Sequence, residues 1–144
     1  MLYNIPPAIP PKLMKILMEM GHGDEIVLSD GNFPAKALNS RVIRCDGSDI
    51  PELLDAIMQF FPLDYTESHA VVMMEKPAEL PEPPVWDKYR SILSQRSREE
   101  FAIGHISRQA FYNRAQKAYV IVATGEKTRF ANILLKKGIV RLDG

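Results

Sequence analysis

Apolar positions along the chain switch repeatedly between helical and strand spacing. Leu13, Ile16, Leu17 and Met20 recur at i, i+3, i+4 and i+7 and predict a helix from Pro11 to about Met20. Pro11 suits the first turn of that helix and Gly21 its C-terminal cap. Glu25–Ser29 and Arg41–Cys45 read as short strands. Asp49 with Glu52 has capping-box spacing and opens a helix whose apolar face is Leu53, Leu54, Ile57, Phe60 and Phe61. Ala70–Met74 is an apolar run of strand length. Trp86–Arg96 is helical, with Trp86, Tyr89, Ile92 and Leu93 on one side, and Ser107 caps a further helix to about Lys117. Tyr119–Thr124 and Asn132–Leu135 are the last strands. This alternation predicts an α/β fold with a largely parallel sheet flanked by helices on both faces.

Prolines divide this pattern in two places. Pro6, Pro7, Pro10 and Pro11 precede the first helix, and Pro77, Pro81, Pro83 and Pro84 fall in Lys76–Pro84. The second cluster is neither helix nor central strand, because proline removes a donor and fixes φ. It coincides with a change of charge: residues 1–85 carry 6 basic and 13 acidic side chains, and residues 86–144 carry 12 and 5. Separate pieces of about 80 and 60 residues would have marginal cores. A single domain over residues 1–144, with a Pro-rich surface loop at about 76–85, is the expected organisation. The opposed charges then meet inside the domain or between subunits.

Composition narrows the function. The 144 residues are enough to bury a core without disulfides or a structural metal. Eighteen basic and eighteen acidic residues give a net charge of zero, which argues against a nucleic-acid or membrane-surface binder. The single cysteine, Cys45, allows no internal disulfide. The first residues lack signal-peptide pattern, and no apolar run reaches the ~20 residues of a membrane span. A cytoplasmic protein with no membrane partner is expected.

The chemistry concentrates in Gly21-His22-Gly23-Asp24-Glu25 and in Ser29-Asp30-Gly31-Asn32-Phe33-Pro34. Histidine exchanges protons near neutral pH, and a carboxylate can fix its tautomer. Asp30 follows a buried strand, where open α/β sheets bind ligands. The same residues also suit structural roles, His22 as a helix-capping donor and Asp30 in an Asx turn. Three histidines without HxH, HExxH or CxxC spacing point to no metal site, and no dinucleotide, P-loop or serine-hydrolase motif is present. Arg108, Arg114 and Lys117 on one helix fit a solvated face or an anion contact.

Three stretches carry a likeness: Met20 through Ala35, Ala110-Phe-Tyr-Asn-Arg-Ala-Gln-Lys-Ala118, and Asn132-Ile-Leu-Leu-Lys-Lys-Gly138. Together the chain resembles the RbsD/FucU family of sugar mutarotases and pyranases, nearer the L-fucose mutarotase branch. The resemblance implies an RbsD-like fold and a mutarotase needing no cofactor, with His22 catalytic and Asp30, Arg108, Phe130 and Asn132 binding the sugar. It also implies a ring-shaped homo-oligomer, such as a decamer, with sites between subunits. Two residues depart from the family: Phe130 where a tyrosine is usual, and Asn32 where some fucose-type members have histidine. A D-ribose pyranase-type activity on another sugar and a non-catalytic monosaccharide-binding module are the alternatives.

Spacing adds a constraint. Were Glu25–Ser29 extended at about 3.3 Å per residue, His22 and Asp30 would sit ~15 Å or more apart, too far to share one sugar within a chain. Either the chain folds back at Gly23 or two subunits share the site.

Overall fold

The computed structural model describes residues 1–142. Its elements in chain order are α1 (Pro11–Glu19), β1 (Glu25–Ser29), α2 (Ala35–Leu38), β2 (Val42–Cys45), α3 (Ile50–Ile57) and β3 (Val71–Met74), then α4 (Pro84–Arg96), β4 (Ile103–Ile106), α5 (Arg108–Lys117), β5 (Val120–Thr124) and β6 (Ile133–Lys136). The strands form one six-stranded sheet in the order β2-β5-β1-β6-β3-β4. Neighbours are parallel except where β6 runs antiparallel between β1 and β3.

Strand periodicity sorts the core into two layers. Ile26, Leu28, Val71, Met73, Val120, Val122, Ile133 and Leu135 face one side, against α1, α3 and α4. Val27, Val72, Met74, Ile121, Ala123 and Leu134 face the other, against α2 and α5. Helices cover both faces, as the runs of buried strand residues require.

The charge asymmetry has a plain structural counterpart. Strands from the acidic and basic halves alternate across the sheet, β2, β1 and β3 from the first and β5, β6 and β4 from the second. Ion pairs cross between the halves at Arg96–Asp55, Arg114–Glu25, Lys136–Glu67 and Arg90–Glu82. The Pro-rich stretch leaves the helix of α4 intact: Pro83 is its N-cap and Pro84 its first residue, where a missing N–H costs nothing.

Several details differ from expectation. Gly21 is not a left-handed cap, because Met20 leaves α1 in an extended conformation (φ −66°, ψ 137°). The left-handed residue is Gly23 (φ 90°), in a turn closed by the Asp24 N–H donating to the Gly21 carbonyl. Phe60 lies beyond the end of α3 and is exposed, whereas Phe61 is buried. Two short elements escape periodicity: α2 is a single turn, and the edge strand β4 is interrupted by Gly104 and His105. Asp49 and Ser107 do cap α3 and α5, accepting from Glu52 N–H and Ala110 N–H.

One close approach fixes the turn after β5. A Cβ at Gly125 would lie 2.1 Å from the Asp46 carbonyl oxygen, so the loops after β2 and β5 touch only because residue 125 is glycine. Gly125→Ala should cost about 2–3 kcal/mol, read in thermal denaturation as a midpoint on the order of 8 °C lower.

Candidate active site

The polar residues gather at the two opposite edges of the sheet. At the edge where the parallel strands begin, the Gly21–Asp24 turn is braced from both sides: Asp24 Oδ2 accepts from Gly21 N–H at 2.7 Å. Gly23 N–H donates to the Lys137 carbonyl, and Lys137 N–H donates to the Asp24 carbonyl, both at 2.8 Å. His22 projects from this turn with its side chain 52% exposed, and Nε2 lies 3.4 Å from Oδ2 of Asp64, which is 4% exposed.

Asp64 owes its position to β6. Its N–H donates to the Lys136 carbonyl at 3.1 Å, and Gly138 N–H donates to the Pro62 carbonyl at 2.8 Å. A Cβ at Gly138 would come within 2.8 Å of the Asp64 Cα, so this approach too needs glycine. The Thr66 hydroxyl donates to Asp64 Oδ1 at 2.6 Å and the Thr66 N–H at 3.1 Å. The Thr66 hydroxyl is the main reason the Asp64 carboxyl lies below its ordinary value; burial opposes it, and the Thr66 N–H and His22 add to the lowering. Asp64 is therefore a carboxylate at neutral pH, facing a half-exposed imidazole.

At the opposite edge, Asp30 follows β1 and Asn132 precedes β6. The Asp30 N–H donates to Asn132 Oδ1 at 2.7 Å, and Asp30 Oδ1 accepts from Asn32 N–H at 2.9 Å, an Asx turn. Burial lifts the Asp30 carboxyl above its ordinary value. The backbone N–H groups of Asn32 and Phe33 and the Asn132 side chain pull it down less than burial raises it, and Glu126 pushes it further up. Glu126 is itself buried and fixed by the N–H groups of Ile50, Lys127 and Thr128. The Gly31 N–H donates to its carbonyl at 2.9 Å, which ties the Asp30 loop to the turn after β5.

Phe130 and Arg108 belong to the same edge. Phe130 has a left-handed backbone (φ 57°), rare for a residue with a side chain. Arg108 opens α5 and lies over the Tyr112 ring at 5.3 Å, and that ring packs edge-on against Phe33 at 5.2 Å, three residues after Asp30. Arg114 instead pairs with Glu25 near the start of β1, so the basic residues of α5 do not form one anion site. Among the described residues, no group of three or more His, Cys, Asp or Glu is placed to hold a metal ion.

The structure thus brings together Asp30, Asn132 and Phe130, sets Arg108 on the same edge, and holds His22 at the other. Sequence reasoning missed Asp64. The spacing of Asp64 and Thr66 signals a local turn, but nothing along the chain links it to a histidine 42 positions earlier. It also missed Glu126, which carries no motif.

Residues 3–140 match the model of the RbsD / FucU transport protein family. A fucose mutarotase of Bos taurus is 46% identical over 146 residues, covering 96% of this chain and 94% of that protein. An L-fucose mutarotase of Actinobacillus pleuropneumoniae is 42% identical over 140 residues, covering 96% and 97%. The crystal structure of a fucose mutarotase from Streptococcus pneumoniae, in complex with L-fucose, superposes with a TM-score of 0.92 at 46% identity, covering 97% of this chain and all of that one. By sequence and by fold, the chain belongs to the RbsD/FucU family.

Proposed function

We propose that this chain is a mutarotase that interconverts the α and β anomers of free L-fucose by general acid–base catalysis, acting as one domain in the cytoplasm. The likeness to named fucose mutarotases over almost the whole chain supports the substrate. The observation that carries the chemistry is the exposed His22 imidazole facing the buried, ionised Asp64.

Mutarotation is a proton relay. A base takes the proton of the anomeric hydroxyl, an acid gives one to the ring oxygen, and the bond from C1 to the ring oxygen breaks to leave an open-chain aldehyde. Rotation about the C1–C2 bond and closure by the reverse steps give the other anomer. Both protons return, so nothing is consumed. Asp64 holds a proton on Nε2 of His22 and leaves Nδ1 free as acceptor and then donor. Asp30, which burial biases toward its protonated form, suits the complementary transfer. Arg108 and Asn132 supply donors to sugar hydroxyls and position the ring. Phe130 offers an apolar surface at the same edge. Acid–base assistance of this kind contributes about 10²–10⁴-fold.

The two groups of residues are separated by the five residues of β1, about 17 Å of extended chain. A monosaccharide cannot span them. The complete site therefore joins His22 and Asp64 of one copy to Asp30, Arg108, Phe130 and Asn132 of another, in a closed homo-oligomer. Exposed Met18, Phe60, Ile139 and Val140 lie on the His22 side and suit burial by a second copy.

Anomer-exchange NMR on L-fucose tests the reaction. His22→Ala should lower the catalysed exchange about 10²–10⁴-fold and Asp64→Asn should lower it too, while wild-type exchange no faster than buffer would end the enzyme reading. Complementation tests the shared site. His22→Ala and Asp30→Ala chains, each inactive alone, should regain activity when reassembled together, at roughly a quarter of the sites by random pairing; no recovery would place the site within one chain.

Asp30 gives a stability test with a definite sign. Its folded carboxyl holds the proton more firmly than the unfolded chain does, so ionising it at neutral pH works against folding. Asp30→Asn keeps the Asx-turn acceptor. It should raise the melting temperature at pH 7 while reducing exchange, and the stability gain should fade as pH falls through the folded value toward 3.8.

A further inference from the structure

The three residues before β6 carry the sugar-facing groups at their edge, yet they lie outside any strand ladder. Ala131 and Asn132 are buried, and Phe130 adopts a backbone conformation that a side chain disfavours. Buried carbonyls here need donors that the sheet does not supply, since β6 begins only at Ile133. The donors come from α4. The Trp86 Nε1–H donates to the Phe130 carbonyl at 2.8 Å, and the Tyr89 hydroxyl donates to the Ala131 carbonyl at 2.8 Å.

Trp86 and Tyr89 are three residues apart, so one helical face presents both donors to two successive carbonyls. Both side chains are buried among the core residues of that layer, which fixes their rotamers. Burial and the nearby carboxylates of Glu126, Asp49 and Asp30 keep the Tyr89 phenol protonated, so its hydroxyl remains a donor. At the end of this chain of contacts, Asn132 Oδ1 receives the Asp30 N–H at 2.7 Å. Two donors on α4 therefore set a turn whose last side chain braces the Asp30 loop.

We propose that Trp86 and Tyr89 are positioning residues of the sugar site: they hold the turn at Phe130 and Ala131 so that Asn132 and Asp30 present their groups to the sugar in fixed geometry. This rests on the reading of Phe130 and Asn132 as sugar-binding residues. The pair acts on sugar binding and on the proton transfer assigned to Asp30, and leaves the His22–Asp64 contact untouched, because that contact sits at the other edge of the sheet. A helix face that served only as core would affect stability and leave sugar affinity alone.

Steady-state anomer exchange on L-fucose separates these roles. Tyr89→Phe removes one oxygen atom and keeps the ring, so the core stays filled. It should raise KM about tenfold, the effect of one lost buried hydrogen bond, and lower kcat as well, through the proton transfer assigned to Asp30. Trp86→Phe should do the same in kind. Leu93→Ala, which empties a buried position one turn further along α4 from segment 130–132, is the control: it should lower the melting temperature and leave KM unchanged. Calorimetry with L-fucose should show the same loss of affinity in Tyr89→Phe. Unchanged KM in Tyr89→Phe, or a KM that rises equally in Leu93→Ala, would overturn the positioning role. Asn132→Ala distinguishes the levels. A raised KM there with an unchanged one in Tyr89→Phe refutes the positioning role alone; an unchanged KM in Asn132→Ala refutes the sugar-site reading and the positioning role with it.

Discussion

The antiparallel insertion of β6 between β1 and β3 is the constraint on which the rest depends. A strand running against its neighbours carries its first residues to the edge where theirs end, and its last residues to the edge where theirs begin. Asn132, just before β6, therefore meets Asp30, just after β1. Lys136 and Lys137, at the far end, hold Asp64 and the Gly21–Asp24 turn through their backbone groups. One strand of four residues braces both polar clusters. Its register is specified by burial on both faces, and a slip of one residue would turn Ile133 and Leu135 to the wrong layer while moving both clusters.

The two aspartates show how one backbone framework yields opposite electrostatic environments. Asp64 is almost wholly buried but satisfied by the Thr66 hydroxyl and N–H, so its charge is stabilised. Asp30 also receives N–H donors, but for it desolvation outweighs them and Glu126 repels. The balance between desolvation and the hydrogen bonds each carboxylate accepts decides the outcome. Carboxyls pushed in opposite directions are the arrangement that acid–base chemistry requires, one to stay charged beside a histidine and one to retain a proton more readily.

Much of the fold was legible because its signals are local. The sequence pattern located every helix longer than one turn and five of the six strands, while α2 and the Gly-His edge strand β4 were too short or too polar to stand out. Asp49 and Ser107 could be read as caps because a cap acts within three residues. Gly21 could not, because whether a glycine ends a helix left-handed depends on what its chain meets next, here the Lys137 backbone closing the Gly23 turn. His22 and Asp30 were legible as residue types in permissive turns. Asp64 was not, since it enters through a backbone contact with Lys136, 72 positions away.

The charge pattern follows the same logic of opposites brought together by topology. An acidic first half and a basic second half would repel partners of their own kind if each folded alone. Alternating their strands across one sheet instead puts Glu25 beside Arg114 and Glu67 beside Lys136, near the His22 edge. Partly exposed pairs like these add little to stability individually. Their consequence is that opposite charges offset one another near the His22 edge, where a field of one sign would oppose the approach of an identical copy. In the proposed site completed by a second copy of the same chain, this charge balance would lower the electrostatic barrier to assembly, and the apolar surface around Phe60 and Val140 would drive it.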